Sequence, residues 1–230
     1  MGIPSTAVPR GLGGRQARII VLWAGLGAIL LVAALIRTTV LTTRFPIGSD
    51  SGLHFSAAAW YARTWPALPP DEPFLGGTPR GTTIQPLIPW AIAGLSKLPG
   101  MDLYKAVQLY PLIIGAAVSL VLYLVARAYT GKESIGILAA LLYATSRFNS
   151  WITYAGYQMG AETSNLWISL AILFLLKAIR GHEEAGNGVP ADKRYLYYTL
   201  TGIFIAAQVA TYDVGTLGLA LLLGGIATVL

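Results

Sequence analysis

The stretch that decides the fold is "KAVQLYPLIIGAAVSLVLYLVAR", residues 105–127, which is uncharged between Lys105 and Arg127. As an α-helix, its uncharged part is long enough to cross ~30 Å of hydrocarbon. Lipid offers the backbone no hydrogen-bond partner, and a helix meets this constraint because its backbone groups bond to one another. The stretch therefore predicts a transmembrane helix over residues 106–127.

Composition extends this interpretation to the whole chain. Of the 230 residues, 55% are hydrophobic and 11% are charged, whereas charged residues make up about 25% of a typical soluble protein. We predict an all-α polytopic membrane protein with about six transmembrane helices and a long first extracytoplasmic loop that carries interfacial helices. The predicted segments are a cytoplasmic tail at residues 1–18 and a membrane domain at residues 19–230, with spans at residues 19–40, 106–127, 134–151, 162–177, 195–212 and 214–230, and with the outer loop at residues 41–105.

The first and last spans raise separate questions. Residues 19–36 are uncharged and exceed the roughly 7–15 apolar residues of a signal peptide, which favours a retained anchor over a cleaved signal. The span at residues 214–230 has no flanking charge at its far end. We therefore expect this span to be truncated, and we expect a missing carboxy-terminal part or a further subunit to complete the protein.

The outer loop combines apolar and polar segments. Within "SGLHFSAAAWYARTW", residues 51–65, helical spacing puts four residues on one face: Leu53, Ala57, Trp60 and Thr64. This pattern is typical of a helix that lies in the membrane interface. "TIQPLIPWAIAGLSKL", residues 83–98, is short and contains two prolines, which favours a juxtamembrane or re-entrant segment over a span. Asp71 and Glu72, in "LPPDEPF", are predicted to lie in a solvated turn.

The positions of the basic residues predict the orientation. With a cytoplasmic amino terminus, nine of the 16 basic residues fall in short cytoplasmic segments: Arg10, Arg15, Arg18, Arg127, Lys132, Lys177, Arg180, Lys193 and Arg194. The positive-inside rule favours this arrangement, and we expect the lipid bilayer to be the plasma membrane of a prokaryote. Topology thus accounts for the net charge of +6 without a nucleic-acid partner. The absence of cysteine excludes disulfides and thiolate metal sites.

Two carboxylates fall on the predicted outer face. Asp50 lies in "FPIGSDSGLHF", residues 45–55, and Glu162 begins the fourth predicted span. Carboxylates that converge can hold a divalent cation or accept a proton. Asp50 also fits the N-cap of a helix, a role compatible with catalysis. Glu162 shares a polar stripe at helical spacing with Gln158, Asn165 and Ser169. Such a stripe either joins neighbouring helices or lines a wet cavity.

Four ordered segments carry a resemblance to a known family: "SDSGLHFSAAAWYA", "QPLIPWAIAGLSKL", "YPLIIGAAVSLVLYLVARAYTG" and "SIGILAALLYATSRFNSWITYAGYQMGAET". Their order after a first helix resembles the amino-terminal membrane module of the GT-C glycosyltransferases. That superfamily includes protein O-mannosyltransferases, aminoarabinose transferases and oligosaccharyltransferase catalytic subunits. The resemblance covers about residues 15–180.

The resemblance implies a donor and a set of catalytic residues. In this superfamily the donor is a sugar linked to a polyprenyl phosphate or pyrophosphate. Asp50 matches the position of the catalytic base or metal ligand, and Glu162 matches a second acidic position near the fourth helix. Both are therefore expected to be catalytic and, as metal ligands, to hold a divalent cation such as Mg, Mn or Zn. The chain has Gln85 before Pro86, where many members have two prolines, and neither carboxylate has an acidic partner beside it.

Four further residues are candidates for substrate binding: His54, Arg63, Arg147 and Gln158. Guanidinium groups bind phosphate oxygens in bidentate fashion, although both arginines can instead reach lipid headgroups. His54, one helical turn after Asp50, also fits a position at the lipid interface.

Two functions from different classes follow from these observations. The first is transfer of a sugar from a polyprenyl-linked donor to an acceptor at the extracytoplasmic face, as the resemblance implies. The alternative is a non-catalytic membrane subunit or transporter fragment that uses the first outer loop as a docking surface.

Overall fold

The structure, a computed structural model, describes residues 14–37, 51–67, 71–72, 78–79, 87–146, 159–183, 191–209 and 211. The predicted helical fold class is confirmed for these residues, which form seven helices and one pair of two-residue strands. The elements are α1 (Gly14–Arg37), α2 (Ser51–Thr64), β1 (Asp71–Glu72), β2 (Thr78–Pro79), α3 (Leu87–Leu95), α4 (Leu103–Thr130), α5 (Glu133–Thr145), α6 (Met159–Glu183) and α7 (Ala191–Val209).

Two of these helices are long and apolar enough to cross a membrane: α4 over Leu103–Thr130, and α6 over Glu162–Arg180. Shorter apolar helical segments lie at Leu22–Ile36, Glu133–Thr145 and Tyr195–Val209. The total of six spans stays a prediction, and residues 214–230 lie outside the described part of the chain.

Both ends of α4 are set by local hydrogen bonds. The Asp102 side chain caps the amino end by accepting from the Lys105 backbone N–H at 2.7 Å. This bond holds the pKa of Asp102 below its ordinary value. At the other end, Gly131 adopts φ +71° and donates its N–H to the Arg127 carbonyl, a conformation that glycine accepts without a Cβ clash. Since α5 begins only two residues later, α4 and α5 form a tight hairpin.

The α4–α5 hairpin packs against α1 through small and branched side chains. The cluster contains Leu26, Ile29, Ala33, Tyr123, Ala140 and Ala144. At its centre Gly136 lies directly against Tyr123, so closely that an added Cβ would be 2.8 Å from the Tyr123 carbonyl oxygen. The absence of a side chain at residue 136 therefore permits this helix spacing.

Contacts at both ends show that α4 and α6 run parallel. Near their amino ends, the Tyr110 hydroxyl is 2.9 Å from the Thr163 hydroxyl. Near their carboxyl ends, Arg180 donates to the Tyr129 carbonyl oxygen at 3.0 Å. With a rise of 1.5 Å per residue, the two contacts are separated by ~27 Å along the helices. This separation matches the thickness of a bilayer core.

Helix α7 returns antiparallel to α6, and an aromatic column joins the two. Trp167 stacks on Phe204, Phe204 on Phe174, and Phe174 lies beside Tyr197, with ring centroids 5.9, 5.5 and 6.1 Å apart. Beyond Trp167, its indole N–H donates to the Thr211 hydroxyl at 2.9 Å. The pairing therefore extends along most of α7.

Helices α2 and α3 form a second hairpin against the start of α4. Lys97 Nζ donates to the Ala62 carbonyl at 2.7 Å, and the Trp90 indole N–H donates to the Pro66 carbonyl at 2.8 Å. Lys97 thus places a cation at the carboxyl end of α2, where the helix dipole favours it. Apolar residues bury the interface with α4: Ala58, Ile88, Ile92, Ala106 and Val107.

The turn predicted at Asp71 and Glu72 is wrong, and their exposure to solvent stays a prediction. These residues form strand β1, which pairs antiparallel with β2 so that Asp71 faces Pro79 and Glu72 faces Thr78. The sequence did not predict this pairing, because two residues are too few for an alternating strand pattern. The residues on either side are also typical of turns.

We expect Gly136→Ala to destabilise the protein, because its new methyl group would press on the Tyr123 backbone. Overpacking of this kind costs ~1–3 kcal/mol, and a lower thermal unfolding midpoint of the purified protein would report it. The matched control is Gly202→Ala, where an added Cβ meets nothing within 4 Å. This control should be neutral or stabilising. Equal midpoints for the two variants would contradict the close helix approach.

Candidate active site

The central feature of the candidate site is a buried carboxylate at the head of α6. Glu162 lies in the first turn of this helix, and its side chain is only 2% exposed. Its position near the helix amino end is favourable, since the dipole there stabilises negative charge. Burying a carboxylate is nonetheless costly without polar neighbours, and ionisable groups in membrane segments mark functional positions.

Polar neighbours of Glu162 come from α4 as well as from α6. The hydrogen bond between the Tyr110 and Thr163 hydroxyls is buried, and Thr163 directly follows Glu162 in α6. We call Tyr110, Glu162 and Thr163 the head cluster. Pro111 follows Tyr110 inside α4 and has no N–H to donate to the preceding turn. The α4 backbone is therefore less fully hydrogen-bonded beside this cluster.

His54 approaches the same end of the bundle from α2. Its side chain is buried, and Ala58, one turn later, belongs to the apolar core that also contains Tyr110. The His54 side chain therefore faces the protein core instead of lipid. Asp50 lies outside the described residues, directly before Ser51, the first residue of α2.

The other predicted substrate-binding residues do not join His54 in the core. Arg63 is exposed, and its guanidinium carbon lies 4.9 Å from the centre of the Trp60 ring. Nine helical positions separate it from His54, which places it on the opposite face of α2. Arg147 and Gln158 lie outside the described residues.

The polar stripe predicted on α6 is wrong at one position. Glu162 and Ser169 are buried, whereas Asn165 is exposed. The reason is geometric: seven residues bring a helix almost back to the same face, whereas three residues leave the side chain ~60° away. Thr163 and Ser164, which were not predicted, are instead buried beside Glu162.

Several buried polar groups escaped the sequence interpretation. Tyr110 and Gln108 precede Pro111 in an otherwise apolar span, and this short polar run was the available signal for them. Gln208 in α7 is buried, and within the described part of the chain its side-chain nitrogen has no hydrogen-bond partner. The described residues thus concentrate polar groups in the half of the bundle that holds Glu162.

A divalent cation was predicted at Asp50 and Glu162. Among the described residues, no group of three His, Cys, Asp or Glu side chains is arranged to hold a metal ion. Glu162 supplies a hard oxygen ligand of the kind that Mg prefers, but one carboxylate does not make a site. Any such ion would need Asp50, or other residues outside the described part, as additional ligands.

Comparison with known proteins gives one match. The family model described as dolichyl-phosphate-mannose-protein mannosyltransferase matches residues 79–227, close to two thirds of the chain. The match includes α3 to α7 and the head cluster, and it begins after Asp50. It confirms the GT-C type of membrane glycosyltransferase family indicated by the sequence. No curated protein and no solved structure matched the chain.

We expect Tyr110→Phe to lower the thermal stability of the protein, because it removes the buried hydrogen bond to Thr163. Such a bond contributes ~0.5–1.5 kcal/mol. Tyr129→Phe is the matched control, since Tyr129 is 72% exposed on the same helix, and it should leave the unfolding midpoint unchanged. A double-mutant cycle with Thr163→Val isolates the pair. A coupling energy of zero would show that the two hydroxyls do not interact.

Proposed function

The chain belongs to the dolichyl-phosphate-mannose-protein mannosyltransferase family, and from this premise we propose that it transfers a sugar from a polyprenyl-phosphate-linked donor to an acceptor at the extracytoplasmic face of the membrane. The observation that carries the proposal is the head cluster, in which a buried carboxylate lies next to a hydrogen-bonded pair of hydroxyl groups from two parallel helices. A membrane-embedded carboxylate of this kind fits proton transfer or the recognition of hydroxyl groups.

The proposal that transfer takes place at the extracytoplasmic face rests on the distribution of basic residues. Five exposed cations lie in the half of the bundle opposite Glu162: Arg127, Lys132, Lys177, Arg180 and Lys193. The positive-inside rule favours a cytoplasmic location for such a group. Because the two ends of the α4–α6 pair are separated by ~27 Å, the head cluster then lies near the extracytoplasmic surface. A polyprenyl-linked donor would reach it from the outer leaflet.

In the proposed reaction, the predicted residues have different roles. Asp50 accepts the proton from the acceptor hydroxyl as the acceptor oxygen attacks the anomeric carbon of the sugar. The bond between that carbon and the phosphate oxygen breaks, and the departing polyprenyl phosphate carries away the electron pair. Arg147 steadies this phosphate, since fixed positive charge stabilises a developing anion, whereas Arg63 faces away from His54 and has no role in this step. Glu162, His54 and Gln158 orient acceptor and sugar.

A divalent cation remains a separate proposal. Held by Asp50 and Glu162, Mg, Mn or Zn would bind the donor phosphate and stabilise its negative charge. We expect chelation with EDTA to abolish transfer and readdition of one of these ions to restore it. Full activity after exhaustive chelation would refute the metal site, while Asp50 would keep its place as a proton acceptor.

The decisive test replaces each carboxylate by its amide. We expect Asp50→Asn to lower transfer from a polyprenyl-phosphate sugar by at least ~100-fold, because general-base catalysis contributes about this much. Glu162→Gln should raise the KM for the acceptor. Transfer would be measured in membranes that contain equal amounts of each variant, as judged by immunoblotting.

Asp102→Asn is the matched control for these variants. Asp102 is an exposed carboxylate that caps α4, and asparagine caps helices equally well, so transfer should be unchanged. Wild-type transfer by Asp50→Asn would remove Asp50 from the mechanism. If no variant and no wild-type membrane transfers sugar, the alternative of a non-catalytic subunit gains support.

A further inference from the structure

A second feature lies at the basic end of the α6–α7 hairpin. Lys177 Nζ lies 5.4 Å from the centre of the Phe174 ring and 5.8 Å from the centre of the Tyr197 ring. The two rings belong to different helices, so this exposed lysine sits at their junction. A cation–π contact attracts the ammonium through the ring faces, and the N–H groups that point away from the rings can donate to an oxygen anion.

Arg180 adds a second cation one turn further along α6. It is exposed and donates one guanidinium N–H to the Tyr129 carbonyl at 3.0 Å. Arginine has five N–H donors in a fixed planar arrangement, so this bond orients the group without exhausting its donors. Lys177 and Arg180 are three residues apart, a spacing that puts two side chains next to each other on a helix.

An apolar surface continues from these cations along the hairpin. It is the aromatic column of Tyr197, Phe174, Phe204 and Trp167, and all four side chains are only partly buried. The column starts beside Lys177 and ends near Thr211, deeper along the helices. Two cations thus lie at one end of a partly exposed strip of rings, an arrangement that suits a molecule with an anionic head and a hydrocarbon chain.

We propose that this surface binds an anionic phospholipid, with its phosphate on Lys177 and Arg180 and an acyl chain along the aromatic column. The charge of this surface favours a lipid as its occupant over the apolar segment at residues 214–230. That segment contains no charged residue and cannot neutralise the cations. Among the described side chains at this end, the acidic one is Glu133, which already pairs with Arg127 at 3.3 Å. Basic surfaces between membrane helices bind anionic headgroups in this way. The proposal does not depend on the transferase activity.

Native mass spectrometry of the full chain in a mild detergent tests the proposal. The protein would be titrated with phosphatidylglycerol or with phosphatidylcholine of the same acyl composition, and in a third arm with inorganic phosphate as competitor. We expect a clear preference for phosphatidylglycerol. The double variant Lys177→Gln/Arg180→Gln should weaken its binding by roughly 30-fold, since each basic residue near a membrane surface contributes about fivefold. Binding of phosphatidylcholine should not change.

The control double variant is Lys97→Gln/Lys105→Gln. It removes the same charge from the opposite half of the bundle, and Lys97, like Arg180, donates to a backbone carbonyl. This variant should bind phosphatidylglycerol as the wild type does. A helical circular-dichroism spectrum like that of the wild type, in zwitterionic detergent, verifies the fold of both double variants, since each also loses a hydrogen bond to a backbone carbonyl. Conservative Lys177→Arg, which keeps the charge, should retain the preference.

Three results would overturn the proposal. The first is an equal loss of binding in the control double variant, which would indicate general charge attraction. The second is full competition by inorganic phosphate, which would indicate an anion site without a lipid. The third is a Phe204→Ala variant that keeps the wild-type preference for long-chain over short-chain phosphatidylglycerol, because the acyl chain would then not follow the aromatic column.

Discussion

The arrangement of the molecule depends on two contacts that lock α4 and α6 side by side. The hydroxyl pair of Tyr110 and Thr163 fixes one end, and the bond from Arg180 to the Tyr129 carbonyl fixes the other. Between them lies one bilayer thickness of helix. Because both helices run in the same direction, their amino ends lie on the same side of the membrane domain. The carboxylate and the group of cations around Arg180 are therefore kept apart by the fold itself.

The burial of Glu162 has a free-energy cost. A carboxylate that is nearly inaccessible to water would be strongly destabilised in a purely apolar setting. At the head of α6 it has a helix amino end, the neighbouring hydroxyls and the nearby Tyr110 ring. Its retention in an apolar helix is costly for packing alone, since leucine or methionine would fill the same volume. The cost is understandable if the carboxylate acts on a polar molecule, as proposed above.

Hydropathy and local spacing were enough to place the helices, but not the contacts between them. The span after Lys105 was predictable because its apolar run matches a membrane, and Glu162 was found because it stands at the edge of another. The pairing of Tyr110 with Thr163 joins residues 53 positions apart, and no local pattern encodes which helix faces which. The same limit applies to His54: its spacing fits a helix, but its burial depends on α4. Asn165 shows that helical spacing predicts the direction of a side chain only to within about 60°.

The tight connection at Gly131 also affects how the chain assembles. Helices α4 and α5 are joined by two residues, and their contacts, including the ion pair of Arg127 with Glu133, are short in sequence. Low contact order of this kind favours early formation. By contrast, the bonds that lock α4 to α6 must wait for more than 50 further residues to be synthesised. The hairpin is thus able to enter the bilayer as a preassembled unit during translation, and α6 then docks onto a surface that already exists.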